Sequence, residues 1–362
     1  MATETSRQDL PSIQILRGIA ALMVVVFHTK TQLVRMGKPV DLGFLSAGVD
    51  IFFVISGFIM WISTEHAKDR TAIAFFRNRL IRIVPLYWCV TLAVAAMALL
   101  APRLLQSTSV DSALVLASLF FIAWPNAGLG KYEPLVAPGW TLNLEMFFYL
   151  TFTVAIAGSR EPFRRGVIVA ALILAAVVLR VAVPGLPPSV AFYGNGIVLE
   201  FLFGIGLGYL HANLGYRGSR LWWAVCAAGF GLLMVSNAFP ELPDFIARGL
   251  PATMIVAGAI FAPAIHIAPL RRLGDSSYAL YLSHVIALSA FAQLWRKFGL
   301  SYLPAFVFIG AACFVCVAVG WLVYRWVELP STDCARSFVR RRAERPAGSM
   351  TSAGVTGNLL SG

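Results

Sequence analysis

The chain has 362 residues, of which 59% are hydrophobic and only 13% charged, about half the charged share of a soluble globular chain. That composition excludes a soluble domain, and repeated apolar runs of bilayer-crossing length read as an all-α polytopic integral membrane protein. The formal net charge of +12 falls mostly in short connections between apolar runs, where the positive-inside rule accounts for it; no RNA- or DNA-binding module is present, and nucleic acid is not an expected partner.

Ten runs read as spans, at about 13–34, 44–64, 82–101, 140–158, 166–183, 194–212, 221–238, 247–265, 277–295 and 303–326. The stretch 112–124 is too short to cross and stops at Trp124-Pro125, which suits a re-entrant or interfacial helix. With ten spans and both termini cytoplasmic, the inner side collects Arg7, Arg17, Lys68, Arg70, Arg77, Arg79, Arg82, Arg160, Arg164, Arg165, Arg217, Arg220, Arg271, Arg272 and the basic residues from Arg325 to Arg345. An eleventh span would move Arg160, Arg164 and Arg165 outside. No internal repeat is visible, and the small, polar stretch 343–362 reads as a disordered cytoplasmic tail after a membrane domain at 1–342.

The first run, IQILRGIAALMVVVFHTKTQLV, is too long for a signal-peptide core and has no small-residue cleavage site after it, so it reads as a permanent helix. It carries Arg17 and His28. Eleven residues apart on a helix, they point within about 20° of each other at depths differing by about 16 Å. Ionisable groups inside a membrane are costly and mark function. The same depth reading places His28, Asp50 in the second span, Glu145 in the fourth and Glu200 in the sixth together in the outer half. There a carboxylate beside His28 would raise its basicity and fix its tautomer; hydrogen-bonded packing residues are the plainer alternative for each.

At the inner end, FFRNRLIRIVPLYW reads as a loop entering the third span. Arg79 and Arg82, three apart, share a face suited to phosphate, although a topology signal bound to lipid headgroups gives the same pattern. The ninth span begins GDSSYALYLSHV, placing Ser277, Tyr281 and His284 on one polar stripe facing the protein interior; such a stripe joins helices, positions a ligand or supplies a second imidazole. His66, His211 and His266 read as solvated at cytoplasmic ends. Gly204, Gly206 and Gly208 read as a close-packing face rather than a nucleotide fingerprint. Cys313 and Cys316 read as apolar fillers of a helix face. No Walker sequence, zinc-type spacing or G-x-S-x-G elbow occurs, and no metal is expected.

Together the segments resemble the membrane-bound acyltransferase-3 family. Arg17, Gly18 and His28 match its first-helix pattern, Gly48 to Phe58 its G-V-D-x-F-F-V-x-S-G-F block, and Arg79, Arg82 and Pro85 its R-x-x-R-x-x-P. Trp140, Thr141, Leu142, Glu145, Phe148 and Tyr149 match W-T-L-x-x-E-x-x-F-Y. Ser277, Tyr278, Leu280, Tyr281, Leu282 and His284 match S-Y-x-L-Y-L-x-H, and Tyr324 to Pro330, with Glu328, the closing block. The order holds from about residue 10 to 330, and the length resembles the succinoglycan-type exopolysaccharide O-acetyltransferases of that family.

The resemblance implies acyl-CoA, most simply acetyl-CoA, as donor and a sugar hydroxyl of a polysaccharide or lipid-linked oligosaccharide as acceptor. It also implies a bacterial inner-membrane location, among lipid and polysaccharide-biosynthesis machinery. On that reading His28 is the general base, with Glu145 and Asp50 beside it. Arg17, Arg79, Arg82 and Glu328 serve the cofactor, while Trp140, Ser277, Tyr281, His284 and Glu200 are polar or substrate-facing residues. Direct transfer and transfer through an acylated residue both remain open. A proton-coupled transporter or flippase using the same ionisable residues is the reading from another class, and a non-catalytic scaffold in an export complex a third.

Overall fold

The computed structural model describes residues 10–65, 71–100, 111–214 and 218–344, with side chains described to 341. Arg7, His66, Lys68, Arg70, Arg217, Arg345 and the tail beyond 344 lie outside them. Every regular element among the described residues is helical. Among the described residues, nine helical segments are long and apolar enough to cross a membrane.

Helix α1 (Pro11–Arg35) and helix α2 (Gly48–Glu65) stand at the centre. They are followed by α3 (Ala72–Leu100), α4 (Ser112–Leu119), α5 (Trp140–Gly158), α6 (Pro162–Ala182), the single turn α7 (Pro188–Ala191) and α8 (Leu199–Leu214). Then come α9 (Leu221–Val235), α10 (Leu250–Phe261), α11 (Ala268–Asp275), α12 (Ser277–Lys297), α13 (Ala305–Val323) and α14 (Leu329–Glu344). Three apolar clusters fill the interior, and Phe52 of α2 packs against all three. Helices α6, α9 and α13 lie at the periphery and expose Leu, Val and Phe side chains. Helices that are apolar all round and little covered by protein have lipid as their fitting surroundings.

Close helix crossings are made where glycines recur. A Cβ on Gly204 would stand 2.0 Å from the Val54 carbonyl oxygen, and one on Gly57 would stand 2.1 Å from that of Phe201. Helices α2 and α8 therefore meet backbone to backbone, as small residues at membrane interfaces allow. Gly208 packs on Trp61, whereas Gly206 faces open space. The close-packing face read from the three glycines thus consists of Gly204 and Gly208, one helical turn apart. Gly18 and Gly274 bring α1 and α11 together in the same way.

Several expectations need correction. The run at 247–265 is a shorter apolar helix, Phe245–Phe261, with a π-helical first turn. It stops because Pro263 forces Ala262 into an extended conformation. The third helix begins at Ala72, so Arg77, Arg79 and Arg82 lie on it rather than in a loop, and α14 packs against this helix. The last span does not stop near 326 but continues through a π-helical turn, Tyr324–Glu328, to Glu344.

The segment between α4 and α5 does most to position the site. Helix α4 ends at Leu119, before Trp124, because Phe121 takes a left-handed conformation with φ 59° that costs about 1–2 kcal/mol outside glycine. Its surroundings offset that cost: the ring stacks on Tyr87 at 4.8 Å, and its carbonyl accepts the Tyr193 hydroxyl at 2.9 Å. The chain then turns back over Asn126 to Lys131 and enters α5 through a 3-10 turn, Ala137–Gly139. Gly139 rests against the Tyr87 ring, midway along α3. Helix α5 therefore begins inside the bundle, which sets the level of every residue after it.

Candidate active site

A cavity of about 140 Å³ opens between α1, α2, α3, α5 and α12. At one end are the guanidinium groups of Arg17 and Arg82, with Gln14. Gln14 Oε1 accepts from Arg17 Nη1 at 3.1 Å, while its amide donates to Asp275 Oδ1 at 2.7 Å, tying α1 to the end of α11. Glu328, presented by the π-helical turn, stands near Arg82 and Arg17. A π turn is a frequent means of aiming a functional side chain.

The middle of the cavity is lined by Ser56, Ile59, Leu142, Glu145, Tyr149 and Ser277. Glu145 accepts hydrogen bonds from the Tyr149 hydroxyl and, at 3.4 Å, from Ser56 Oγ. Ser277 Oγ is buried with no hydrogen-bond partner among the described residues, a polar group left for something entering the cavity. Tyr278 lines the same wall and is held by its hydroxyl on the Ile83 carbonyl at 2.8 Å.

At the far end, Phe52 stands edge-on to Tyr281, ring centroids 5.9 Å apart. The Tyr281 hydroxyl is pinned by Thr141 Oγ1 at 3.0 Å and the Pro138 carbonyl at 3.2 Å. Behind it the Tyr281 ring lies 5.9 Å from His284, and His284 lies 4.8 Å from His28.

The histidine pair has a determinate proton arrangement. Nδ1 of His28 lies 2.8 Å from the Val24 carbonyl, and Nδ1 of His284 lies 2.6 Å from that of Tyr281. Carbonyls only accept, so in the neutral rings both protons are assigned to Nδ1. His284 Nε2 is then a lone pair, 3.3 Å from His28 Nδ1. The His28 Nδ1–H is shared between Val24 and His284, and its Nε2 is left unprotonated. That nitrogen is available as a base.

Ten of the twelve sequence-predicted site residues separate into three groups. His28 and His284 form one. Arg17, Arg82, Glu145, Ser277, Tyr281 and Glu328 line or face the cavity. Glu145, expected at the level of His28, sits instead beside Ser56 on the arginine side, because α5 starts inside the bundle. Asp50 and Glu200 form the third group. They are buried near each other where α2 packs on α8, and neither Glu200 carboxyl oxygen has a hydrogen-bond partner among the described residues. Gly249 lies against the Glu200 carboxyl, and Arg248, paired with Asp244 at 3.6 Å, adds charge nearby. This pair lies outside the cavity lining and away from the imidazoles.

Arg79 also stands apart from the cavity lining. Its Nη2 donates to Ser63 Oγ at 2.8 Å, and its guanidinium lies over the Phe75 and Tyr149 rings at 5.4 and 6.0 Å. Trp140 packs on Phe53 at 6.4 Å. Sequence reasoning gave no role to Gln14, and met Phe52, Ser56, Thr141, Tyr149 and Tyr278 only as members of the family blocks. The spacing of Glu145 and Tyr149, one helical turn apart, was the available signal for one of them. No group of three or more His, Cys, Asp or Glu able to hold a metal occurs among the described residues.

Comparison with protein families matches residues 10–325 to the acyltransferase-3 family, described as an acyltransferase domain. The chain belongs to the acyltransferase-3 family. It is an acyl-transferring enzyme, and with nine apolar helices of crossing length among the described residues it is a multi-pass membrane protein. Among acyltransferase-3 relatives, it is 34% identical to the exopolysaccharide production protein ExoZ of Rhizobium meliloti, over 79% of this chain and 89% of that one. It is 28% identical to acyltransferase MdmB of Streptomyces mycarofaciens, over 92% and 93% of the two chains. It is 26% identical to the peptidoglycan O-acetyltransferase OatA of Listeria monocytogenes, over 78% of this chain and 50% of that one. No solved structure matches the chain.

Proposed function

We propose that the protein is an O-acyltransferase of the bacterial inner membrane. It moves an acyl group, acetyl in the simplest case, from acyl-CoA to a sugar hydroxyl of an exopolysaccharide or its lipid-linked precursor. One observation carries the reading: a cavity with two guanidinium groups at one end and, past the Phe52–Tyr281 wall at the other, an imidazole with a free Nε2. Relatives whose names include exopolysaccharide production and O-acetyltransferase supply the acceptor class.

On this reading the arginine end faces the cytoplasm, where the basic residues of α3, α11 and α14 also lie. Phosphate groups of the donor meet Arg17 and Arg82 by charge-assisted hydrogen bonds. Arg79 reinforces the same electrostatic field from one turn away, and Glu328 orients the two guanidinium groups. The slender pantetheine arm runs along the cavity from the two arginines towards the Phe52–Tyr281 wall. Ser277 offers its unpartnered hydroxyl to an amide of that arm. Glu145 fixes Tyr149 and Ser56 on the cavity wall, and Trp140 anchors the start of α5.

The acceptor hydroxyl approaches His28 from the opposite side. His28 Nε2 takes its proton as the oxygen attacks the thioester carbonyl; the carbon–sulfur bond breaks, and the proton passes to the departing thiolate. The products are an ester and free CoA thiol, and no proton is gained or lost overall. Asp50 and Glu200 lie where α2 packs on α8, outside the cavity lining, and take no part in the proton transfer.

The deciding experiment is proton NMR of polysaccharide from a strain lacking the gene, complemented with wild type, His28→Ala or Arg82→Ala at matched membrane abundance. Wild type alone restores the O-acyl signal while polymer is still exported. Equal acylation by all three proteins would refute the catalytic assignment. Export that follows the variants with acylation unchanged would favour a transporter.

A further inference from the structure

The cavity is closed on the histidine side by two aromatic rings, Phe52 and Tyr281. Neither His28 nor His284 lines the cavity; both lie behind the Tyr281 ring, in the sequence of contacts Phe52 to Tyr281 to His284 to His28. The two rings differ in how they are held. Tyr281 is fixed through its hydroxyl, in a triangle with Thr141 and the Pro138 carbonyl. Phe52 has no polar anchor. It is held by packing alone, at the point where all three apolar clusters meet. A ring wedged between three packed cores cannot swing aside to lengthen a pocket without disturbing each of them.

The geometry points to Phe52 as the residue that sets the length of the acyl group, restricting transfer to short chains. This rests on the reading that acyl-CoA enters from the arginine end. A donor threaded that way leads with its acyl group. Its carbonyl carbon must stop where a hydroxyl activated by His28 can reach it, and whatever lies beyond the carbonyl must fit against Phe52, Tyr281 and Thr141. An acetyl methyl meets that limit; each further methylene must displace ring atoms. A single methylene in an apolar pocket is worth roughly 10- to 200-fold in discrimination, so two methylenes at a wall this rigid exclude a butyryl donor effectively. Ser56 and Ile59 lie one and two turns along the same face of α2 and line the path of the arm. Phe52 is the residue of that face that meets the acyl end.

The test uses full-length protein in proteoliposomes, with unacylated polysaccharide purified from the deletion strain as acceptor. Acetyl-CoA and butyryl-CoA are supplied in parallel, and thiol release and polymer acylation are measured. The readout is the butyryl-to-acetyl ratio, in which protein abundance cancels. Phe52→Ala and the milder Phe52→Leu raise that ratio at least tenfold and threefold over wild type; Phe52→Trp lowers it. A ratio within twofold of wild type in whichever variants retain acetyl transfer overturns the inference, as does a wild type that already prefers butyryl. Acetyl-CoA consumption would vanish in the wild type itself if the donor reading were wrong, so that failure is distinguishable from failure of the gauge.

Discussion

His284 Nε2 lies 3.3 Å from His28 Nδ1, across 256 residues of sequence, and takes a share of the same proton that His28 donates to Val24. The pair forces the one tautomer in which His28 presents a bare Nε2. His28→Ala is expected to lower acyl transfer by about 10²- to 10⁴-fold, the usual worth of a general base. His284→Leu removes one of two acceptors for the Nδ1 proton but leaves Val24, so it costs less, about tenfold. His284→Asn, which restores an acceptor, recovers part of that loss. Initial rates across pH for the three variants check this; equal loss in His284→Leu and His284→Asn would argue against tautomer control.

Arg82 lines the cavity and Arg79 does not. Loss of a charge-assisted hydrogen bond costs roughly 1.5–3 kcal/mol, so Arg82→Ala should raise the donor KM about 10- to 100-fold. Arg82→Lys is expected to recover only part, because a point charge lacks the planar fork. Arg79→Ala should act more weakly on KM and more on protein yield, since its side chain bridges α3 to Ser63 of α2. Steady-state kinetics with varied acyl-CoA separate the two.

Much of this organisation was legible in the sequence, and where it was not the cause is specific. The shared face of Arg17 and His28 follows from helical period alone, and the buried stripe of Ser277, Tyr281 and His284 does too. Glu145 was misplaced because depth was counted from the start of an apolar run, as though α5 began at a membrane surface. It begins inside the bundle, behind a segment that turns inward at Phe121. Asp50 and Glu200 do lie together, but across the α2–α8 contact and not beside His28. Phe52 was read only as a member of the Gly48 to Phe58 block; what singles it out from the other phenylalanines, the three clusters that meet on it, belongs to the packing and not to the sequence.

Glu145 accepts from both Tyr149 and Ser56. Glu145→Gln keeps an acceptor oxygen and the shape, and should retain more activity than Glu145→Ala, by about tenfold. Tyr149→Phe should reproduce only a part of the Glu145→Ala loss, because Ser56 remains. Polysaccharide O-acylation at matched membrane abundance is the measurement, and indistinguishable Gln and Ala variants would count against a hydrogen-bonding role.

The glycines of α8 provide a stability test with an internal control. A Cβ at Gly204 would overlap the Val54 carbonyl, whereas one at Gly206 meets nothing within 4 Å. Overpacking of this kind costs about 1–3 kcal/mol. Gly204→Ala should lower the apparent melting temperature in detergent by at least about 2 °C, with Gly206→Ala close to wild type. Equal shifts would contradict the backbone-to-backbone crossing of α2 and α8.

The wide separation of the cavity-forming residues has a consequence for how the protein is made. The cavity takes its walls from Ile13 through to Tyr281, so α1 enters the membrane long before α12 exists. At about 5–20 residues per second, the 256 residues between His28 and His284 take roughly 13 to 51 s to synthesise. Throughout that interval the nascent first helix carries a cation and an imidazole into lipid without the partners that later enclose them. The site is therefore completed only once α12 has been made and His284 has met His28.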